Sequence, residues 1–103
     1  SNTSRRDIFL NQYADAFFDA DMVFLREVKQ REIDKEVKLL DVELLADKLN
    51  KRGICAKVGK DGKEIAEMIA QEAQKNDVIV VMSNGSFDGI IQNLTAKLKN
   101  ASL

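Results

Sequence analysis

The sequence contains no histidine, proline or tryptophan and a single cysteine, and these absences exclude several kinds of site. Without histidine, the chain cannot build a Ser-His-Asp relay or activate Cys55 through an imidazole. One cysteine forms no intramolecular disulfide, and the histidine and cysteine clusters that bind transition metals are absent. Cys55 lies in the apolar-rich run ICAKV, so we predict a thiol buried in the core.

The chain also lacks an excess of charge of one sign and a long apolar run. Sixteen basic and seventeen acidic residues give a net charge of -1, which indicates no cationic surface for nucleic acid or anionic lipid. No apolar run approaches the roughly 20 residues of a membrane span, and no signal-peptide core follows the polar start SNTSRRD. We therefore expect a cytoplasmic protein that binds neither nucleic acid nor membrane.

What the sequence does contain is an alternation of short apolar runs and amphipathic segments. The runs at residues 22–25, 54–58 and 78–82 predict strands. The last run is continuous and β-branched, which is typical of a central strand covered on both faces. Helical spacing between the runs predicts helices, so the order indicates an α/β fold with a Rossmann-like, mostly parallel sheet and flanking helices.

The predicted helices have recognisable ends. Thr3 or Ser4 is the expected N-cap of a first helix that ends near Asp19, Asp41 and Asp61 are expected to cap the next two, and Gly53 is a left-handed stop. The apolar residues expected to face the core are Phe9, Tyr13, Ala16 and Phe17, then Val42, Leu45, Ala46 and Leu49, then Ile65, Met68, Ile69 and Ala73, and finally Phe87, Ile90, Ile91, Leu94 and Leu98. The charged segment 26–38 predicts a solvated loop.

Polar residues follow the predicted strands at the edge where ligands bind in parallel sheets. Residues 1–6, 26–29 and 83–88 would meet there and offer guanidinium groups, hydroxyls, an amide and backbone N–H groups, which suit a carboxylate or a phosphate. The segment NGSFDG lacks the spacing of known phosphate loops. The alternative is structural: Asn84 and Gly85 turn the chain, and Ser86 or Asp88 caps the last helix.

Two motifs carry a resemblance to a known family. The segment SNTSRRDIFLNQYADAFFDADMVFL, followed some fifty residues later by DVIVVMSNGSFDGI, resembles the C-terminal domain of the Mur ligases. The match rests on Ser1-Asn2-Thr3, on Ala20-Asp21 and on residues 81–85. Departures occur at Ser86 and Asp88, where the family commonly has glycine, and at Ile91, where histidine is frequent. The resemblance identifies residues 1–103 as part of the C-terminal, amino-substrate-binding domain, truncated at its start.

The resemblance implies an ATP-dependent ligase that joins UDP-N-acetylmuramate to the peptide L-alanyl-γ-D-glutamyl-meso-diaminopimelate in peptidoglycan recycling. ATP and Mg²⁺ would be bound mainly by other domains, so we expect no cofactor, metal or catalytic residue in this fragment, which would be inactive alone. The substrate-binding residues implied are Asn2, Thr3, Arg5, Arg6, Arg26, Lys29, Asn84, Gly85 and Ser86.

Two other classes of function compete with the ligase. One is a non-catalytic α/β module that binds a small anion, and the other is a purely structural fragment whose exposed edge pairs with another chain. Because a truncated sheet leaves an unpaired edge, we also expect that the fragment can self-associate through that edge.

Overall fold

The computed structural model describes residues 10–28, 40–83, 85 and 87–101, and the chain divides into two compact units after Val58. The first unit contains helix α1 (Leu10–Ala16), strand β1 (Met22–Arg26), helix α2 (Val42–Lys51) and most of strand β2 (Cys55–Gly59). The second contains helix α3 (Gly62–Glu72), a 3-10 turn (Phe87–Gly89) and helix α4 (Ile90–Asn100). Among the described residues, β1 and β2 form a two-stranded parallel sheet with flanking helices, which confirms the α/β class.

Helix α2 begins and ends at the residues that the sequence predicted. The carboxylate of Asp41 accepts a hydrogen bond at 3.0 Å from the backbone N–H three residues later. At the other end, Gly53 has a φ of 86°, the left-handed conformation that glycine adopts at low cost. Ile54 N–H donates to the Leu49 carbonyl at 3.0 Å and Gly53 N–H donates to the Asn50 carbonyl at 3.1 Å, which completes a Schellman motif.

The core of the first unit is built mainly from α2 and its neighbours. Its buried residues are Ala14, Val23, Leu40, Val42, Leu45, Ala46, Leu49, Ile54 and Ala56. In α1 the prediction was partly wrong, because Ala14 is fully buried whereas Ala16 is exposed and ends the helix. Tyr13 and Phe17 are half-buried against this core. The predicted N-cap and Phe9 lie outside the described residues.

Cys55 is exposed, so the prediction of a buried thiol was wrong. Successive side chains of a strand point to opposite faces. Ile54 and Ala56 both pack into the core, and Cys55 between them therefore faces solvent.

The side chain of Asn50 extends the hydrogen bonding of β2. Its amide nitrogen donates to the Ala56 carbonyl at 3.2 Å, and its amide oxygen accepts from the Ala56 N–H at 2.9 Å. Cys55 N–H, one residue earlier, donates to the Asp21 carbonyl beside β1. Because backbone groups of successive strand residues point to opposite edges, Asn50 satisfies Ala56 on the edge that faces away from β1.

We expect Asn50→Ala to lower the free energy of unfolding by about 1–3 kcal/mol, because it removes two hydrogen bonds that each contribute about 0.5–1.5 kcal/mol. The matched control is Asp47→Ala, an exposed position of the same helix, where the change should stay within about 0.5 kcal/mol. Urea unfolding followed by circular dichroism measures both. Equal urea midpoints for the two variants would show that the hydrogen bonds between Asn50 and Ala56 do not contribute to stability.

Helix α3 begins at a reciprocal cap, as predicted. The Asp61 carboxylate accepts from the Glu64 N–H at 2.9 Å, and the Glu64 carboxylate accepts from the Lys60 N–H at 3.1 Å. Its buried residues are Gly62, Ile65, Ala66 and Ile69. Helix α4 packs against α3 within this unit and buries Ile90 and Leu94.

Five of the predicted core positions of the second unit are less covered than expected. Ile91 is 58% exposed, although its spacing placed it on the apolar stripe of α4. The other four are half-buried: Met68, Ala73, Phe87 and Leu98. The buried apolar faces of α3 and α4 are therefore narrower than the sequence predicted. Within this unit the two helices pack mainly against each other.

The third predicted strand is not formed. Residues 78–82 take no strand assignment, and Val78, Val80 and Met82 are 87%, 72% and 64% exposed. Ile79 and Val81 are less exposed and border an apolar groove of about 380 Å³ beside α4. A continuous apolar run becomes a central strand only where neighbouring strands pair with it, and no such pairing is present among the described residues. An apolar segment left open in this way is prone to pair with another chain.

Candidate functional site

Most of the predicted site residues fall on parts of the chain that the structure does not describe. Those outside the described residues are Asn2, Thr3, Arg5, Arg6, Lys29, Asn84 and Ser86. Arg26 and Gly85 are described, but they belong to different units. The structure therefore bears on the predicted site at two separate places, the end of β1 and the segment around Gly85.

Arg26 is the last residue of β1 and is exposed. It lies at the carboxyl end of a parallel strand, which is where the sequence predicted a binding residue. Of the charged segment that follows, only Glu27 and Val28 are described before residue 40, and Val28 packs against the core of the first unit. The predicted solvated loop, residues 26–38, begins too early, because Arg26 still belongs to β1. Its residues 29–38 lie outside the described residues.

The 83–89 loop connects the exposed 78–82 segment to α4. At its start, the hydroxyl of Ser83 accepts from the Gly85 N–H at 3.1 Å and donates to the Gly85 carbonyl at 3.0 Å. This is a local turn of the kind that serine side chains stabilise. Gly85 is exposed, and a Cβ added there would meet no atom of the described residues within 4 Å. The surface of Gly85 is thus open to an approaching ligand.

The loop ends in a left-handed turn that is unusual for these residue types. Phe87, Asp88 and Gly89 have φ values of 52°, 57° and 73°. Glycine adopts such values readily, whereas an L-residue with a side chain loses about 1–2 kcal/mol. Residues held in this region are common at functional sites, where surrounding contacts stabilise them.

A contact between the turn and α3 supplies such stabilisation. The carboxylate of Asp88 accepts a hydrogen bond from the Gly62 N–H, the first residue of α3, at 2.9 Å. The structural alternative, in which Ser86 or Asp88 caps the last helix, is wrong for Asp88, since Gly89 occupies the N-cap of α4 and has no side chain to cap with. Ser86 lies outside the described residues. No local pattern predicts the observed contact, because its partners lie 26 residues apart in the chain.

Three carboxylates gather at the amino end of α3. Those of Asp61, Glu64 and Asp88 accept from the N–H groups of Glu64, Lys60 and Gly62, respectively. Negative side chains are favourable at this end of a helix, where unpaired N–H groups and the helix dipole carry partial positive charge. With these N–H groups occupied by carboxylates, the amino end of α3 is unsuited to a further anion.

Other kinds of site find no support in the described part of the chain. No group of three or more His, Cys, Asp or Glu residues there is arranged to hold a metal ion. Within the same ranges, no helix has both the length and the apolar character to cross a bilayer. The apolar groove beside α4 is lined by Ile79, Val81, Ile91, Leu94, Thr95 and Leu98. It offers few polar groups to orient a ligand.

Comparison with known proteins finds a similarity in sequence to a ligase. Over 99 residues, which make up 96% of this chain, the sequence is 35% identical to the UDP-N-acetylmuramate–L-alanyl-γ-D-glutamyl-meso-2,6-diaminoheptandioate ligase of Haemophilus influenzae. The chain is therefore similar in sequence to a Mur ligase. The chain spans about a fifth of the length of that relative, 20%.

The other two comparisons add no further relatives. No protein-family model matches the sequence, and no solved structure matches it significantly. The ligase similarity therefore rests on sequence, and it extends across both structural units because it covers almost the whole chain. It does not by itself assign the chain to one domain of the ligase.

Proposed function

We propose that this chain is part of the C-terminal domain of an ATP-dependent ligase that joins UDP-N-acetylmuramate to the peptide L-alanyl-γ-D-glutamyl-meso-diaminopimelate. The observation that carries the proposal is the 35% identity to a ligase of that name over 96% of the chain. The proposed setting is cytoplasmic recycling of peptidoglycan. The parallel sheet and flanking helices are compatible with this assignment.

In this proposal the chain binds and orients the peptide and performs no bond chemistry. ATP would convert the sugar carboxylate to an acyl phosphate, which the peptide amine then attacks. Holding the amine close to the acyl phosphate replaces a costly encounter in solution, and such positioning can account for several kcal/mol of a barrier. The proposed contacts are Asn2, Thr3, Arg5, Arg6, Arg26, Lys29, Asn84, Gly85 and Ser86. ATP and Mg²⁺ would be held mainly outside this chain.

The test uses the full-length product of the gene that encodes this chain. Phosphate release from ATP should require both UDP-N-acetylmuramate and the peptide, and mass spectrometry should detect their joined product. Phosphate release when one of the two substrates is omitted, or the absence of a joined product when both are present, would contradict the proposal. The competing anion-binding module would instead show binding of inorganic phosphate or a small carboxylate by the chain alone, measured by calorimetry, with no ligase activity in the full-length product.

We expect the 103-residue chain alone to release no phosphate from ATP above background, with or without the two substrates. The physical reason is that its sequence lacks a glycine-rich phosphate loop with the spacing needed to hold a triphosphate and Mg²⁺. A coupled phosphate assay on the purified chain provides the measurement. Release that depends on both substrates and survives further purification would show that the catalytic machinery lies in this chain.

A further inference from the structure

The contact between Asp88 and Gly62 ties two distant parts of the second unit together. The bond from the Gly62 N–H to the Asp88 carboxylate is 2.9 Å long and spans 26 residues of sequence. We call this hydrogen bond the Asp88 latch. It joins the amino end of α3 to the 87–89 turn, so the position of that turn depends on α3.

The contact also depends on the absence of a side chain at Gly62. A Cβ added at Gly62 would lie 2.5 Å from the carbonyl oxygen of Phe87 and 2.9 Å from the Cβ of Asp88. Contacts this short force one side to move, and here the opposing atoms include backbone. The glycine at position 62 therefore lets the loop approach α3 closely.

The left-handed backbone of the 87–89 turn requires a stabilising contact of this kind. Phe87 and Asp88 both hold positive φ values, which an aromatic residue in particular adopts at a cost. Without a compensating contact, the turn would relax toward more common conformations. A hydrogen bond between a carboxylate and a backbone N–H at a helix end is of the stronger, charge-assisted kind.

We propose that Asp88 is a positioning residue, which holds the 87–89 turn against α3 so that Gly85, two residues before that turn, stays presented to the peptide substrate. The part of this proposal that concerns the peptide rests on the proposed ligase function. Asp88 itself touches no substrate in this proposal. It acts through the backbone of the turn, three residues after Gly85 in the sequence.

The latch is tested first in the 103-residue chain, by amide hydrogen exchange at Gly62. Asp88→Gly keeps a residue that tolerates positive φ but removes the acceptor, so exchange at Gly62 should accelerate about ten- to a hundredfold. Asp88→Asn keeps an oxygen acceptor and also tolerates positive φ. Its exchange should rise by less, since a neutral hydrogen bond is about half as strong.

The same pair of variants separates the latch from a purely conformational role of Asp88. If Asp88 served only to adopt a left-handed backbone, glycine would replace it without loss, and Gly62 exchange would not change. Gly62→Ala is the reciprocal variant. Alanine is the better helix former, so this variant should raise the melting temperature if the loop does not pack on α3, and should accelerate exchange at Gly85 if it does.

The functional part is tested in the full-length ligase. Asp88→Gly should raise the KM for the peptide about tenfold and leave kcat and the KM for ATP nearly unchanged. Asp88→Asn, which keeps an oxygen acceptor, should have a peptide KM close to that of the wild type. An unchanged peptide KM in an enzyme whose Gly62 exchange has accelerated overturns the positioning role. Equal Gly62 exchange in wild type and Asp88→Gly overturns the latch and leaves the proposed function standing. A full-length product without ligase activity overturns the proposed function instead.

Discussion

Leu49→Ala is expected to lower the free energy of unfolding by about 2–5 kcal/mol. Leu49 is fully buried in α2, and its carbonyl also accepts the hydrogen bond that ends the helix. Truncation to alanine removes apolar contacts and leaves a cavity that close-packed neighbours fill only partly. Urea unfolding of the chain, followed by far-UV circular dichroism, measures the change.

The matched control is Leu44→Ala in the same helix, where the leucine is 43% exposed. Alanine has the higher helix propensity and little burial is lost there, so the change should stay within about 0.5 kcal/mol. Because small domains are stable by only about 5–15 kcal/mol in total, Leu49→Ala should unfold a substantial fraction of the chain at moderate urea. Similar midpoints for the two variants would mean that this core does not determine stability.

The elements that the sequence predicted well are those whose signals are local. Asp41 and Asp61 cap their helices through N–H groups three residues later, and Gly53 stops α2 within one turn. Such contacts depend only on a few neighbouring residues, and those residue types favour the same geometry in most proteins. The first two strands were also predicted from their own residues, which are short apolar runs between polar ones, and these two runs pair with each other.

The incorrect predictions concern residues whose burial depends on distant strands or on which face of a strand is turned inward. The run at residues 78–82 has the composition of a central strand, but composition cannot supply the neighbouring strands that would cover it. Cys55 was assigned to the core because its neighbours are apolar, although the alternation along β2 decides which of them face inward. A shift of one residue in such a pattern reverses burial at every position.

In the candidate site, too, local features were predicted and tertiary contacts were not. The sequence placed Arg26 at the end of a strand and Gly85 in a polar loop, and both placements are confirmed. That Gly85 is open and that Gly62 packs against the turn could not be predicted. The two glycines look alike in the sequence, and only tertiary contacts distinguish a position with space for a side chain from one without.

This difference makes Gly85→Val a sharp test of the proposed binding role. A Cβ at Gly85 meets no atom of the described residues within 4 Å, so the substitution should leave the melting temperature nearly unchanged. If the loop approaches a substrate carboxylate, the valine methyl groups would prevent that approach. Loss of one hydrogen bond to a charged group, worth about 1.5–3 kcal/mol, would lower kcat/KM for the peptide in the full-length ligase roughly ten- to a hundredfold.

Gly85→Ala provides the graded control, because a single methyl group obstructs less and its effect should lie between those of glycine and valine. The KM values for ATP and UDP-N-acetylmuramate should change little in either variant, since the proposal places those ligands mainly outside this chain. Steady-state kinetics with one substrate varied at a time, together with a melting curve, separates the possibilities. A Gly85→Val enzyme with normal peptide kinetics would show that the loop only turns the chain, whereas a lowered melting temperature would show that Gly85 is needed for folding.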